Sequence, residues 1–504
     1  MRRPARAVIT AAVLMATACG ARVGPYVGTG IRPGTATVAG PTAAIAPGGA
    51  VPTGAQAPQA GSSTGPMSAA KADAASGGGA APGGSTGPSG AALSPQAAAE
   101  LTPATFPYAA GAEAALCTGT AGNGSSDVGV TPTTVTIGNV SGLTGILSNN
   151  FEQGPEAVQA LFSAINAAGG ICGRRLQLEV EDDGQDSGKN AADTSDLASR
   201  VFAFVGSTSD ADNGGAPVLA STHVPDVGTA INVARGQTGV FWTTTGGATI
   251  RNGQHYIYDT LVRGLKAAGN FPQRFAVLSY SIPISADAAQ QFLTVFTHEG
   301  ATSCFTDESV SPATASLDQD VLQMKSKGCD GVYTTMDVTG NAKLLQAMQR
   351  QQFHPRFAGT TFDGYTPAQI SVAGQSAAQG FEVNLPFLPF TDGNAVVSTY
   401  ESDLRTYEPG KEPSSFGLEA WADAQMFIYG LIKAGHNPTR PALVQAFGSI
   451  DSWNTGGATA PYVPRLREPP GPCSVEAVVQ GAQYVRKWPA SGYFCDGQLV
   501  PAGP

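Results

Sequence analysis

Basic residues and histidines are scarce in this chain, and their scarcity excludes several functions. Lys and Arg together number 28 in 504 residues against 38 Asp and Glu, a net charge of -10. No stretch is basic enough to track a phosphate backbone, so no nucleic-acid partner is expected. The histidines His223, His255, His298, His354 and His436 stand far apart. No two have metal-ligand spacing, and neither a metal nor any other cofactor is expected. The Cys-x-x-Cys of a thiol redox site is missing. So are HExxH, a P-loop, Gly-x-Gly-x-x-Gly and, in the folded part, a Gly-x-Ser-x-Gly elbow. The nearest approach to a carboxylate pair is Asp182-Asp183, neighbours at a strand end that are expected to cap the next helix. An enzyme is therefore not expected.

No apolar run approaches the roughly 20 residues of a membrane helix. The N-terminal run, 7–16, is short and follows Arg2, Arg3 and Arg6. Ala16-Thr17-Ala18 then stands directly before Cys19, which is the arrangement of an export signal. It is similar to a bacterial lipoprotein signal, although Ala16 stands where a leucine is usual. Cys19 is the expected lipid site, so the membrane is an expected partner through that lipid. The expected location is the extracytoplasmic face of a bacterial membrane, or the medium if Cys19 is not lipidated. Residues 20–116 are mostly Ala, Gly, Pro, Ser and Thr. Such a segment buries too little apolar surface to offset chain entropy, and a disordered tether is expected.

The sequence holds seven cysteines. Setting Cys19 aside leaves an even number in an exported chain, which argues for disulfides. Cys304 and Cys329 flank one helix, each near a strand start, and adjacent parallel strands would bring them together. Cys473 and Cys495 bracket a hairpin near the C-terminus. Cys117, before the first strand, and Cys172, before the second, remain to pair.

What is abundant is a ladder of strands and helices. Strands are expected at 135–140, 176–181, 201–205, 225–228, 274–279, 304–308, 331–335 and 356–361. Helices are expected at 152–168, 189–199, 214–222, 253–268, 285–298, 317–326, 340–351, 396–407, 415–434 and 441–447. Short crossovers are expected at 241–244 and 381–386, and a β-rich tail at 484–488. Alternation of this kind gives α/β architecture: parallel sheets with helices on both faces. Two such sets joined near 243, 383 and 449 give two lobes with a hinge. The expected lobes are 117–243 with 384–449, and 244–383 with 450–504.

The order and wording of several runs carry a resemblance. They are Thr134-Val-Thr-Ile-Gly-Asn-Val-Ser-Gly, Gly169-Gly-Ile-Cys-Gly-Arg with Asp182-Asp183, Val205-Gly-Ser-Thr-Ser and Phe362-Asp-Gly. The chain resembles the type 1 periplasmic binding proteins, specifically the branched-chain amino-acid receptors of ABC importers. The resemblance implies a two-lobed α/β fold with a three-strand hinge. It also implies a monomer that captures a small polar solute, such as an amino acid, for an ABC-transporter permease. A sensory or surface scaffold protein of the same fold is the alternative.

By the family's positions, Ser207, Thr208 and Ser209 would hold a ligand carboxylate, at a helix start that favours an anion. Ala230 would supply a backbone carbonyl and Asn232 a side-chain contact. Asp363 matches the acid that meets the ligand ammonium. The family's aromatic lid positions fall at Ile284 and Asp337, with Tyr333 and Met336 nearby. Residues 143–148 and Phe416 are further candidates for the wall. Asp337 facing Asp363 would favour a more cationic or polyhydroxylated ligand.

Overall fold

The computed structural model describes residues 101–145, 147–245, 249–251, 254–467 and 471–502. The export signal, Cys19 and tether residues 20–100 lie outside the described residues.

A first sheet comprises β1 (Thr134–Ser141), β2 (Arg175–Asp182), β3 (Ala203–Val205), β4 (Asp226–Val227) and β5 (Phe241–Trp242). All its pairings are parallel and the order is β2-β1-β3-β4-β5. A hairpin of β6 (Thr249–Arg251) and β7 (Gln254–Tyr258) follows. A second sheet contains β8 (Arg274–Tyr280), β9 (Thr302–Val310), β10 (Gly331–Thr334), β11 (Phe357–Thr360), β12 (Glu382–Leu385), β13 (Val475–Gln480) and β14 (Gln483–Trp488). Its order is β14-β13-β12-β11-β10-β8-β9. Strands β8 to β12 repeat the parallel pattern of the first sheet, and β13 and β14 add an antiparallel edge. The last strand, β15 (Leu499–Pro501), pairs with β7.

Both sheets thus place a switch of strand order beside their first strand, where the crevice outside the carboxyl ends receives ligands. Their helices form because apolar residues recur at helical spacing. In Gln153–Ala167 the buried Val158, Leu161, Phe162 and Ile165 line one stripe. The helix ends at Gly169 and Gly170. Gly170 has φ +75°, and a Cβ there would meet the Arg174 carbonyl oxygen at 2.0 Å. The helix Ser415–Ala434 is buried on all sides from Ser415 to Ile432 and packs on Gln153–Ala167. Ser414 caps it, accepting from the Gly417 N–H at 3.1 Å. Among the described residues, no helix is long and apolar enough to cross a membrane.

Disulfides join Cys117–Cys172, Cys304–Cys329 and Cys473–Cys495, the three pairs that chain position suggested. The reason offered for Cys304–Cys329 needs correction, because β8 lies between β9 and β10. Cys329 precedes β10 and reaches across the start of β8 instead.

Other expectations also need correction. Residues 101–116 are not tether: Leu101, Phe106 and Tyr108 are buried, and Ala110–Leu116 is a helix. Phe106 and Tyr108 pack with Tyr429 and Trp453. The stretch 253–268 is not one helix. Its described residues divide into β7, which pairs antiparallel with β6, and a helix, Thr260–Ala267. The segments expected as crossovers contain sheet strands, β5 at the edge of the first sheet and β12 between β11 and β13 in the second, which leaves the expected crossings between lobes untouched. The helix after β2 is capped by Asp186, whose Oδ1 accepts from the Lys189 N–H at 2.7 Å, and not by Asp182 or Asp183.

Candidate ligand-binding cleft

A cleft of about 970 Å³ opens between loops at the carboxyl ends of both sheets. The first sheet contributes Asp210 after β3, residues 229–234 after β4 and Thr245 after β5. The second contributes Tyr280 at the end of β8, Ile284 after it, Asp337 after β10 and Asp363 after β11. The β7 strand supplies residues 255–258.

Two contacts cross the cleft. The Asn150 side-chain amide donates to Asp363 Oδ2 at 3.5 Å. Phe416 stands edge-on between Phe151 and Phe362, with ring centroids 5.5 and 5.2 Å away. Phe151 follows β1 and Phe362 follows β11, so Phe416 links loops of the two sheets through one buried ring.

Of the residues singled out from sequence, Ala230, Asn232, Ile284, Asp337, Asp363 and Phe416 all line this cleft. Leu147 does too, whereas Ile146 lies outside the described residues. Tyr333 is on the wall, and Met336 is buried in the second-sheet core.

Ser207, Thr208 and Ser209 are not on the wall; all three are almost wholly buried and their side chains are engaged. Ser207 Oγ accepts from the Val140 N–H at 3.1 Å. Thr208 Oγ1 donates to the Phe151 carbonyl at 3.5 Å. Ser209 Oγ accepts from the Ala211 N–H at 3.0 Å. The turn is drawn into the sheet by Gly206. Its N–H donates to the Val227 carbonyl at 2.7 Å, its φ is +65°, and a Cβ would sit 2.4 Å from Val158. The hydroxyl run therefore knits β1 to β3 beneath the cleft floor.

The loop after β4 is held in the same way. Asp212 accepts from the Ile231 and Asn232 N–H groups at 2.8 and 2.9 Å. The Asn232 amide donates to the Asp210 carbonyl at 2.7 Å. Arg235 donates to the carbonyls of Ser207 and Thr229 at 2.9 and 3.1 Å while paired with Asp226. Sequence reasoning missed Arg235, and its one visible signal was isolation: no other Lys or Arg stands between Arg200 and Arg251.

Asp182 and Asp183 fasten the neighbouring loops. Asp182 accepts from the N–H groups of Leu143, Thr144 and Gly184 at 2.9, 3.0 and 2.9 Å. Burial opposes its charge, but these bonds and the Thr144 hydroxyl outweigh it and lower its pKa. Asp183 accepts from the Asn190 amide at 2.8 Å.

The floor is acidic. Burial pushes Asp363 up to about 6; the Thr361 hydroxyl opposes this and Asp337 adds to it. Burial, and then the charge of Asp183, raise Asp210 to about 6. Behind the wall, Glu419 accepts from the Thr229 hydroxyl at 3.1 Å, and burial raises it to about 8. Asp337 caps the helix Val338–Arg350, accepting from the Gly340 N–H at 2.9 Å and the Tyr280 hydroxyl at 2.5 Å.

Residues 134–468 match the family described as Periplasmic binding protein. That is more than half of the chain, and the chain belongs to this family of binding proteins. Among curated proteins, none matches it. Solved structures share its fold. A fatty acid ABC transporter substrate-binding protein from Thermomonospora curvata is 16% identical, with a TM-score of 0.64 over 75% of this chain and 96% of that one. The branched-chain amino acid transporter substrate binding protein LivJ from Streptococcus pneumoniae, solved with isoleucine, is 15% identical, with a TM-score of 0.57 over 70% and 100%. The leucine binding protein LivK from Thermotoga maritima is 15% identical, with a TM-score of 0.57 over 72% and 99%.

Proposed function

We propose that the chain is an extracytoplasmic receptor that captures a small organic solute in this cleft and presents it to an ABC-transporter permease. The observation that carries the reading is the cleft itself. Loops from the carboxyl ends of both sheets bound it, and Asn150–Asp363 and Phe151–Phe416–Phe362 already bridge it. Two lobes, 117–243 with 384–449 and 244–383 with 450–504, close on the solute by hinge motion, and the permease recognises the closed form. The receptor works as a monomer, anchored by a lipid on Cys19.

The solutes printed for its structural relatives, amino acids and a fatty acid, set the classes to try. Asp363 meets the charged end of the solute, and Phe416 packs on its body. Ala230 and Asn232 contact it from the first-sheet side.

Native mass spectrometry tests the reading. The oxidised protein is incubated with a small-molecule extract of bacterial culture medium, desalted and weighed. The expected result is one discrete adduct, absent from Phe416→Asp. A wild-type spectrum with no adduct counts against the receptor reading.

A further inference from the structure

The cleft wall sets aromatic side chains among amides and hydroxyls, and its charge has one sign. Phe151, Tyr258, Phe292, Tyr333, Phe362 and Phe416 build the apolar part. Asp210, Asp337 and Asp363 stand among them, with Asp287 at the exposed rim. Among the described lining residues there is no Lys or Arg, and His255 is the one basic side chain.

The layer behind the wall repeats the pattern. Glu419 touches the cleft through Thr229. Glu476 touches it through Asn384, whose amide donates to Glu476 at 2.9 Å. Two described cations near these acids are already engaged. Arg235 is paired with Asp226 at 2.7 Å, and Lys487 with Glu382 at 2.6 Å. Inside a walled cleft such a charge distribution gives a negative field.

Among the described residues, unpartnered polar atoms of the wall include one on Tyr333 and one on Asp210. Tyr333 is 1% exposed, and its hydroxyl has no hydrogen-bond partner among the described residues. Asp210 Oδ1 is likewise buried and unpartnered. Buried polar groups left without a partner are costly, so both atoms point to a polar group supplied by a ligand.

Size narrows the ligand further. The cleft's 970 Å³ lies at the upper end of small-molecule pockets, about 300–1,000 Å³. A carboxylate would enter a field of its own sign with no described guanidinium or ammonium to receive it. A cation would be met by Asp337 and Asp363 and by aromatic faces, which attract positive charge.

Resting on the reading of the cleft as a solute site, we propose that its ligand is an organic cation with an extended apolar or aromatic body and no carboxylate. An aryl- or alkyl-ammonium compound is the class.

A matched pair of fluorescent probes tests this on the intact oxidised protein. Monodansylcadaverine carries an ammonium and dansyl-6-aminohexanoic acid a carboxylate, on the same ring system and spacer. The ammonium probe is expected to bind roughly tenfold or more tightly than the acid, with blue-shifted emission. Cadaverine, which lacks the apolar body, is expected to displace it poorly. Asp363→Asn with Asp337→Asn is expected to erase the preference between the probes. Asn keeps the helix cap at 337, and a melting curve checks that the variant is folded. Equal or tighter binding of the acid overturns the proposal, as does an unchanged preference in the folded double variant. If neither probe binds while another solute raises the melting temperature, the charge inference fails and the receptor reading stands. If no solute of any charge binds, both fail.

Discussion

The Arg235 guanidinium grips the Asp226 carboxylate at two points, Nε to Oδ2 at 2.8 Å and Nη2 to Oδ1 at 2.7 Å. Neither side chain is more than 4% exposed. The same guanidinium holds the Ser207 and Thr229 carbonyls, so one buried pair fixes both first-sheet loops beneath the cleft. Removing one partner leaves the other charge buried, at a cost of about 3–5 kcal/mol. Arg235→Met is therefore expected to lower the denaturant midpoint by a corresponding amount and to weaken solute binding beyond that. Chemical unfolding followed by titration of the folded fraction checks both.

The N-terminal segment is structural from Leu101 onward. Phe106 packs edge-on against Tyr108 and Tyr429, at 4.9 and 5.6 Å between ring centroids. Tyr429 also donates its hydroxyl to the Leu101 carbonyl at 3.1 Å. Phe106→Ala is expected to destabilise the protein by about 3 kcal/mol or more. A chain beginning at Cys117 is expected to melt well below one beginning at residue 101. Equal melting temperatures would refute this.

Acidity is expected to stabilise the protein above pH 4.5. Burial raises Glu113 and Glu419 from 4.5 to about 8, and Asp423 from 3.8 to about 7. Between the unfolded and folded values the native state holds more protons than the unfolded chain. Stability therefore falls as pH rises through this window. Asp182 is shifted downward, so its loss of stabilising charge belongs to lower pH. Melting temperatures from pH 5 to 8.5 should decline, and Glu113→Gln should flatten part of that slope.

Reduction should be costly. The Cys117–Cys172 bridge closes a loop of 55 residues. On the chain-entropy account that is worth about 4 kcal/mol. A Cys117→Ser, Cys172→Ser protein is expected to unfold at lower denaturant by that margin, and a shift near zero would argue against it.

Local pattern in the sequence carried the architecture and part of the cleft. The stripe Val158, Leu161, Phe162, Ile165 and the alternation in β2 are local signals, and they formed the expected elements. Asp363, Asn232 and Ala230 were reached through the family resemblance, and each stands in a loop after a strand and lines the cleft. Ser207 to Ser209 follow a strand end as well, yet β1 and the close packing of Gly206 on Val158 draw them under the floor. That burial is tertiary and leaves no local mark. Residues 101–116 looked like tether because Leu101, Phe106 and Tyr108 lie among small residues. Only their partners Tyr429 and Trp453, more than three hundred positions away, make them core. Strand β7 was hidden because the apolar run of the following helix extended the expected helix back over it.

Thermal shift shows whether the cleft binds a solute. The oxidised protein is screened against amino acids, amines, sugars and fatty acids, beside Phe416→Ala and Asp363→Asn. A ligand at 100 times its dissociation constant adds about 2.7 kcal/mol to native stability. One class of solute is expected to raise the melting temperature clearly, and both variants are expected to lose that rise. A flat response from well-folded wild-type protein across all classes, or a shift that both variants retain, would contradict binding in the cleft.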